Sequence, residues 1–264
     1  MFYIDDNSII KALFGTAGRR PSGYEEYSSI YLEHKAYPNV VTRWLDFEES
    51  KSYELLYIFR NNKNIISNFS LFYNTLNNII YEDDLPEDRF RLDAEYPYYF
   101  VNGDATIHNY GLSVSFKYKT DFGLEFMLGN VLSFVDINSD NDALLFAVKS
   151  DSPRNIFRFL LSYELINDFS INLFGVYETK RETLDGVNLY PIQNIDVSIT
   201  YHPHRRTVST SKLSVLDNFY LALSLKNILN TKNFYSVSSD SFKLIPTFPV
   251  DNGFSVGIHI GYTF

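Results

Sequence analysis

The chain closes on Phe254-Ser-Val-Gly-Ile-His-Ile-Gly-Tyr-Thr-Phe264, a stretch that alternates without a break. Phe254, Val256, Ile258, Ile260, Tyr262 and Phe264 share one face of a strand, and Ser255, Gly257, His259, Gly261 and Thr263 share the other. Successive strand residues point to opposite faces, so one face is apolar and aromatic and the other small and polar. The termini of water-soluble domains fray and sit in solvent, a poor place for the greasiest strand of a chain. A lipid-facing barrel strand has reason to look like this, since its apolar face meets hydrocarbon and its aromatics meet the interface.

The same alternation recurs upstream. Tyr110, Leu112, Val114, Phe116 and Tyr118 oppose Gly111, Ser113, Ser115 and Lys117. Phe157, Phe159, Leu161, Tyr163 and Leu165 oppose Arg158, Leu160, Ser162 and Glu164. Phe219, Leu221, Leu223 and Leu225 oppose Tyr220, Ala222, Ser224 and Lys226. Ten strands are expected, at about 7–14, 50–60, 64–80, 104–119, 122–136, 154–165, 168–180, 191–202, 218–227 and 252–264, the first of them weakly patterned. Several exceed ten residues, whereas strands of soluble sandwiches are usually about 5–6 long.

The connections alternate in length. Asn61-Asn-Lys-Asn64, Thr120-Asp-Phe-Gly123 and Ile166-Asn-Asp168 are short and rich in turn residues. Between them lie long polar stretches at about 15–49, 81–103, 137–153, 181–190 and 228–251. Short turns on one rim and long loops on the other are the habit of transmembrane barrels, with the short turns periplasmic. Counting back from the C-terminal strand puts every long loop on the extracellular side. The connection 203–217 is the misfit, being long yet on the periplasmic side. The expected fold is therefore all-β: a transmembrane antiparallel β-barrel segment of about ten strands, with short periplasmic turns and long extracellular loops. The first and last strands are expected to stay unpaired, giving an open or incomplete barrel.

Composition narrows the function classes. The net charge is −9 over 264 residues, which argues against nucleic-acid partners, because these want a basic face. There is no cysteine, hence no disulfide framework and no thiol nucleophile. Mean hydropathy is −0.16 and no apolar run is long enough for a membrane helix; alternation dilutes hydropathy in a barrel. Met1-Phe-Tyr-Ile-Asp-Asp lacks the basic and apolar regions of an export signal. The expectation is a fragment whose export signal lies upstream.

Several stretches, in order, resemble the TonB-dependent outer-membrane receptors. Ser8-Ile-Ile-Lys-Ala-Leu-Phe-Gly-Thr-Ala-Gly-Arg-Arg-Pro-Ser22 is similar to a strand and the start of its loop in that family. Glu48-Glu-Ser-Lys-Ser-Tyr-Glu-Leu55 and Ser70-Leu-Phe-Tyr-Asn-Thr-Leu-Asn-Asn-Ile-Ile-Tyr81 resemble the following two strands, and Asn102-Gly-Asp-Ala-Thr-Ile-His-Asn-Tyr-Gly-Leu112 the return strand. Leu223-Ser-Leu-Lys-Asn-Ile-Leu-Asn-Thr-Lys-Asn-Phe-Tyr235 is the most specific match, resembling the end of the penultimate strand, and Gly-Tyr-Thr-Phe264 completes the set. One departure is Asn39-Val-Val-Thr-Arg-Trp-Leu-Asp46, where the family has an Asn-Pro-x-Leu-x-Pro-Glu run. The resemblance implies that residues 1–264 are the C-terminal part of a receptor barrel, without the plug domain and the N-terminal strands. It also implies energised uptake of a bulky solute such as a ferric siderophore, cobalamin or a glycan. The implied partners are outer-membrane lipid, the barrel assembly machinery, the TonB system through a plug not in this chain, and an unidentified small-molecule ligand. The implied location is the outer membrane of a Gram-negative-type bacterium. Tyr262 and Phe264 resemble the terminal assembly signal, with His259 where a glycine is usual.

Candidate chemistry is sparse, and no cofactor, metal site or catalytic residue is expected. Gly253-Phe-Ser-Val-Gly257 matches a nucleophile pattern that has meaning only at a strand-turn-helix elbow, and here it lies in an alternating strand. His202-Pro-His204-Arg205-Arg206 has no nearby carboxylate and reads as a solvated turn. Asp83, Asp84, Glu87 and Asp88 form an acidic run without the spacing of a calcium loop. The ligand-binding candidates are loop residues: Arg19 and Arg20 for an anionic group, and Trp44, Tyr96, Tyr98 and Tyr99 as stacking platforms. For Tyr98 and Phe100 an interfacial girdle is the plainer reading. The rival from another class is a self-contained ten-stranded outer-membrane barrel acting as a protease-like enzyme or small pore. That reading needs an Asp-His pair at the rim, with His34 or His108 as its histidine.

Overall fold

The structure, a computed structural model, describes residues 1–26, 44–61, 64–84, 98–138, 152–166, 168–182, 188–201, 219–236, 247–249 and 253–262. In chain order its strands begin with β1 (Phe2–Asp5), β2 (Ser8–Arg19), β3 (Glu48–Asn61), β4 (Ile65–Asn77), β5 (Ile80–Asp84) and β6 (Tyr98–Asn102). Next come β7 (Thr106–Lys119), β8 (Leu124–Asn138), β9 (Asn155–Ile166), β10 (Phe169–Glu178), β11 (Arg181–Glu182) and β12 (Asn188–Leu189). The last are β13 (Ile192–Tyr201), β14 (Phe219–Lys226), β15 (Phe234–Ser236), β16 (Thr247–Pro249) and β17 (Ser255–Tyr262).

Eleven strands form one antiparallel sheet in the order β1-β2-β3-β4-β7-β8-β9-β10-β13-β14-β17. The pairs β5-β6, β11-β12 and β15-β16 are separate small hairpins within long connections. All ten expected strands are present, and the sheet is open, with β1 and β17 as its two edges. The eleventh strand, β1, corrects the expected count. It has four residues, too short to display alternation, and it pairs with β2 across a turn where Asn7 N–H donates to Asp5 Oδ1 at 2.8 Å. Strand β2 is also longer than expected. Its last stretch, Gly15-Thr-Ala-Gly-Arg19, carries small and polar residues without alternation, yet it is laddered to Glu48–Ser52.

Register explains the sequence pattern as continuous rows across the sheet. On one face Phe14, Tyr53, Tyr73, Tyr110 and Phe134 are successive cross-strand partners on β2, β3, β4, β7 and β8. Their rings lie close: 5.0 Å for Phe14–Tyr53, 6.2 Å for Tyr53–Tyr73 and 5.8 Å for Tyr110–Phe134. The next row is aliphatic: Ala12, Leu55, Leu71, Leu112 and Leu132. Near the opposite rim aromatics return, with Phe169 paired to Tyr201 at 4.6 Å and Phe219 paired to Tyr262. Tyr110 and Tyr118 are eight residues apart on β7, about 27 Å along a strand. A tilt of roughly 40° reduces that to about 20 Å, close to the roughly 25 Å apolar band of membrane barrels. The face is open to solvent in the isolated sheet: Ile258 is 68% and Ile260 66% exposed.

The opposite face is polar and internally hydrogen-bonded. Asn68 Nδ2 donates to Ser115 Oγ at 2.9 Å, Lys117 Nζ meets Glu125 Oε1 at 2.7 Å, and Ser70 Oγ donates to Glu54. Among the described residues the apolar side chains of the sheet are mostly half-buried or exposed. Among the described residues a small apolar cluster, Ile79, Ala105 and Ile137, packs with Leu76, Tyr81, Ile107 and Val135 at the long-loop end. The β1-β2, β3-β4, β7-β8 and β9-β10 connections are short and share one rim, whereas β2-β3, β4-β7, β8-β9, β10-β13 and β14-β17 are joined by long segments at the other. The connection 203–217 lies outside the described residues.

Candidate functional site

The long-loop rim gathers the charged candidates. Arg19, the last residue of β2, reaches two carboxylates. Its Nη2 donates to Glu48 Oε1 at 2.9 Å, its Nε to Glu48 Oε2, and its Nη1 to Glu25 Oε1 at 3.0 Å and Oε2 at 3.1 Å. Glu48 Oε1 also accepts the Ile80 N–H at 2.9 Å, tying the cluster to β5. Glu25 sits in the single helical turn Gly23–Glu26. Ser22 caps that turn: Glu25 N–H donates to Ser22 Oγ at 3.2 Å, and Ser22 N–H donates back to Glu25 Oε2. This reciprocal pair is a capping box. Burial pushes the Glu25 carboxyl up, but the Ser22 amide and hydroxyl and the Arg19 guanidinium outweigh it and hold it below its ordinary value.

Around this cluster the loop ends are sewn together. Asn102 Oδ1 accepts the Asp46 N–H at 2.6 Å, and its Nδ2 donates to the carbonyls of Asp46 at 3.0 Å and Asn78 at 2.9 Å. Arg20 lies 5.3 Å over the Phe47 ring, a cation–π contact. Trp44 is 77% exposed. Tyr24 meets Phe100 edge-on at 5.8 Å. Of the aromatic candidates, Tyr98 and Tyr99 lie on β6, opposite Asp84 and Asp83 of β5, and Tyr96 lies outside the described residues. Arg19 and Arg20 thus lie at the long-loop end of β2, with Arg19 held by carboxylates of this chain, and Trp44 lies in the segment that leads into β3.

The Leu223–Tyr235 stretch owes its pattern to backbone geometry. Asn227 and Asn230 both have left-handed φ, 49° and 50°, a region that asparagine tolerates better than other side chains. Asn227 is 1% exposed. Its Nδ2 donates to the Thr231 carbonyl at 2.9 Å, and its Oδ1 accepts the Thr231 N–H at 3.1 Å. Its own N–H donates to Asp196 Oδ1 at 2.8 Å, linking β14 to β13. Asn233 brackets Gln193, accepting its N–H at 3.2 Å and donating to its carbonyl at 3.3 Å. Asn230 Oδ1 accepts the Phe254 N–H at 3.1 Å, where the chain enters β17. The motif is a clasp that ends one strand and sets the next.

The enzyme candidates are placed differently. Ser255 is the first residue of β17 and pairs with Lys226, so it stands at the start of a strand that Gly253 and Phe254 lead into, and not at a strand-turn-helix elbow. His259 lies on the polar face, with Nε2 3.4 Å from Ser224 Oγ. His108 belongs to the apolar side, in a polar row (Thr16, Lys51, Thr75, His108, Asp136) just beyond the aromatic one. Its Nδ1 is 2.7 Å from Tyr73 Oη. His34, His202 and His204 lie outside the described residues. Among the described residues no cluster of three or more His, Asp or Glu is arranged to hold a metal ion. Tyr262 is 41% exposed on the apolar face of β17, and Phe264 lies outside the described residues.

Known proteins match this arrangement. The FrpB iron transporter of Neisseria meningitidis (F3-3 variant) superposes with a TM-score of 0.69 at 18% identity, over 100% of this chain and 38% of its own. The copper transporter OprC gives 0.67 at 15% identity, over 99% of this chain and 38% of its own. The ferric citrate transporter FecA gives 0.65 at 13% identity, over 97% of this chain and 36% of its own. The chain therefore spans little more than a third of these transporters, and at such identities the likeness establishes the fold. A search of curated protein sequences returned no match. The sequence model of the family described as TonB dependent receptor-like, beta-barrel matches residues 1–230. Family and structural neighbours are receptors and transporters, not enzymes. Most of the chain is covered by that match, and this chain belongs to the TonB-dependent receptor-like β-barrel family.

Proposed function

We propose that this chain supplies the C-terminal eleven strands and several binding loops of an outer-membrane receptor that takes up a bulky solute. In this reading residues 1–264 form barrel wall, and a plug domain outside the chain couples uptake to the TonB system. The observation that carries the reading is the apolar face, framed by aromatic rows and made of contiguous cross-strand partners. Such a face is stable against lipid and a liability in water. The family match supports uptake, and the neighbours' printed activities (iron, ferric citrate and copper transport) favour a metal or its chelate as the solute class. Arg20, Trp44, Tyr96, Tyr98 and Tyr99 are the loop residues placed against the solute, with Arg19 anchoring their loop to Glu48 and Glu25. Tyr262 and Phe264 engage the assembly machinery.

The test is in two steps. The full-length protein should fractionate with outer membranes and shift its electrophoretic mobility on heating in detergent. Cells carrying it should then accumulate radiolabelled ferric citrate, a ferric catecholate or copper, and lose that accumulation when the gene or the TonB system is deleted. A protein that stays soluble without detergent would end the membrane reading. Accumulation that is indifferent to TonB would end the energised-uptake reading.

A further inference from the structure

A second site lies away from the Arg19 cluster, above the loop-side end of β9. There β8 runs on past the start of β9 to Asn138, and the gap between it and the β11-β12 hairpin is a cleft of about 680 Å³. Ser133, Arg154, Thr179, Lys180, Arg181 and Asn188 line it. Among its described lining residues three are cationic and none is acidic, in a chain whose net charge is −9.

The cations are held by backbone that is itself fixed. Thr179 N–H donates to the Asn155 carbonyl at 3.0 Å, and Asn155 N–H donates to Thr179 Oγ1 at 3.1 Å. That exchange sets Arg154 and Lys180, one residue beyond each partner, on facing chain segments. Ser133 N–H donates to the Arg154 carbonyl at 2.9 Å and fixes the same segment to β8. Arg181 is 4% exposed, and its Nη2 donates to the Phe234 carbonyl at 2.7 Å, so its guanidinium is placed before any ligand arrives. Arg154 and Lys180 are exposed. The hydroxyls of Ser133 and Thr179 and the Asn188 amide add uncharged polar groups to the walls.

We infer that this cleft binds a multiply charged oxyanion, a polycarboxylate or a phosphate-bearing group, presented by the solute. A concave site lined by one sign of charge focuses its field and raises the local concentration of the opposite sign. Guanidinium groups add planar two-bond recognition of carboxylate or phosphate, and the ammonium adds a point charge. The inference deepens the proposed uptake function and takes its biological meaning from it, but binding is measurable without uptake.

Isothermal titration of the full-length protein in detergent, with citrate and with inorganic pyrophosphate as probes, tests the site. Arg181 is left intact because it holds the Phe234 carbonyl. The double variant Arg154→Gln/Lys180→Gln should bind at least tenfold more weakly. Arg154→Lys/Lys180→Arg should stay within about threefold of the parent, and affinity should fall steeply with added salt, as screening demands. Preference for citrate assigns a carboxylate ligand, and preference for pyrophosphate a phosphate one. If neither probe binds, or if the glutamine pair binds as the parent does, the site is refuted. Binding that persists in a protein showing no TonB-dependent accumulation would leave the cleft standing and remove the uptake reading.

Discussion

Asn227→Ala attacks the clasp at its centre, and its effect can be built from parts. The residue sits at φ 49°, where an L side chain other than asparagine is disfavoured by about 1 kcal/mol. Removing the carboxamide leaves the Thr231 N–H and carbonyl without the partners they had at 3.1 and 2.9 Å, while the Thr231 hydroxyl, which also meets Asn227 Oδ1 at 3.1 Å, keeps its bond to the Gln193 carbonyl. Thr231 is only half-buried, so water recovers part of each loss and about 1 kcal/mol apiece is the appropriate scale. The sum is about 3 kcal/mol. Asn227→Gly relieves the backbone term and keeps the other two, so it should lose about 2 kcal/mol. Urea titration of the full-length protein in detergent micelles reads both. An alanine variant within about 0.5 kcal/mol of the parent, or a glycine variant at least as damaged as the alanine one, would refute the account. The first result would mean that the hydrogen bonds carry nothing, and the second that the left-handed backbone is not what the asparagine is for.

The two faces should respond oppositely to charge. Val114→Arg, midway between Tyr110 and Tyr118 on the apolar face, should destabilise by about 2–4 kcal/mol in lipid, while Gly129→Arg on the polar face, where nothing lies within 4 Å of an added Cβ, should stay below about 1 kcal/mol; equal losses in vesicle-based unfolding would invert the facing. Gly111→Ala would bring Cβ to 2.0 Å from the Leu132 carbonyl oxygen, a backbone atom that cannot step aside. The variant should lose about 1–3 kcal/mol, whereas Gly15→Ala, which meets nothing within 4 Å, should fold as the parent in the same assay. The Glu25 carboxyl is held below its ordinary value of 4.5, so the stability it contributes is present above that pH and is lost as pH falls through its lower folded value. With Arg19 about half exposed, the contribution is on the order of 1 kcal/mol or less; comparing parent with Glu25→Gln between pH 7 and pH 3 should show the difference vanish in acid, and a difference that grows in acid would contradict it.

Much of this was legible because a membrane-type sheet writes its two solvents into alternate residues. Strands such as β7 and β9 repeat the pattern over nine residues, Tyr110–Tyr118 and Phe157–Leu165, and the register then stacks like with like across neighbours. Strand β1 was not legible, because four exposed residues carry no period. The end of β2 was lost for a related reason: Gly15-Thr-Ala-Gly pairs through its backbone and presents almost no side chain to read. The Arg19 cluster had one visible trace. Ser22-Gly-Tyr-Glu25 carries the spacing of a capping box, which would have placed a helical turn after β2, but nothing local announces Glu48 as its partner. The cationic cleft draws on Ser133, Arg154, Lys180 and Asn188, brought together only by the register of β8, β9 and β10 and by the β11-β12 hairpin beside them. In sequence it shows as an ordinary Lys180-Arg181 pair.

The two free edges constrain what completes this sheet. Strands in an antiparallel sheet alternate in direction, so in a sheet of eleven the first and last, β1 and β17, point the same way. Joining them directly would make a parallel junction. A second copy inserted in the same orientation would meet them in parallel as well, whichever edges touched, because both edges run toward the short-turn rim. Yet an edge left open in hydrocarbon exposes unpaired backbone groups that cost several kcal/mol each, and β17 carries eight residues along its edge. An all-antiparallel closure therefore requires an odd number of further strands with a different sequence. A self-contained barrel of these strands fails that requirement, as does a barrel made of two copies. The larger receptor barrel proposed above, in which this sheet is one portion, is a closure that meets it.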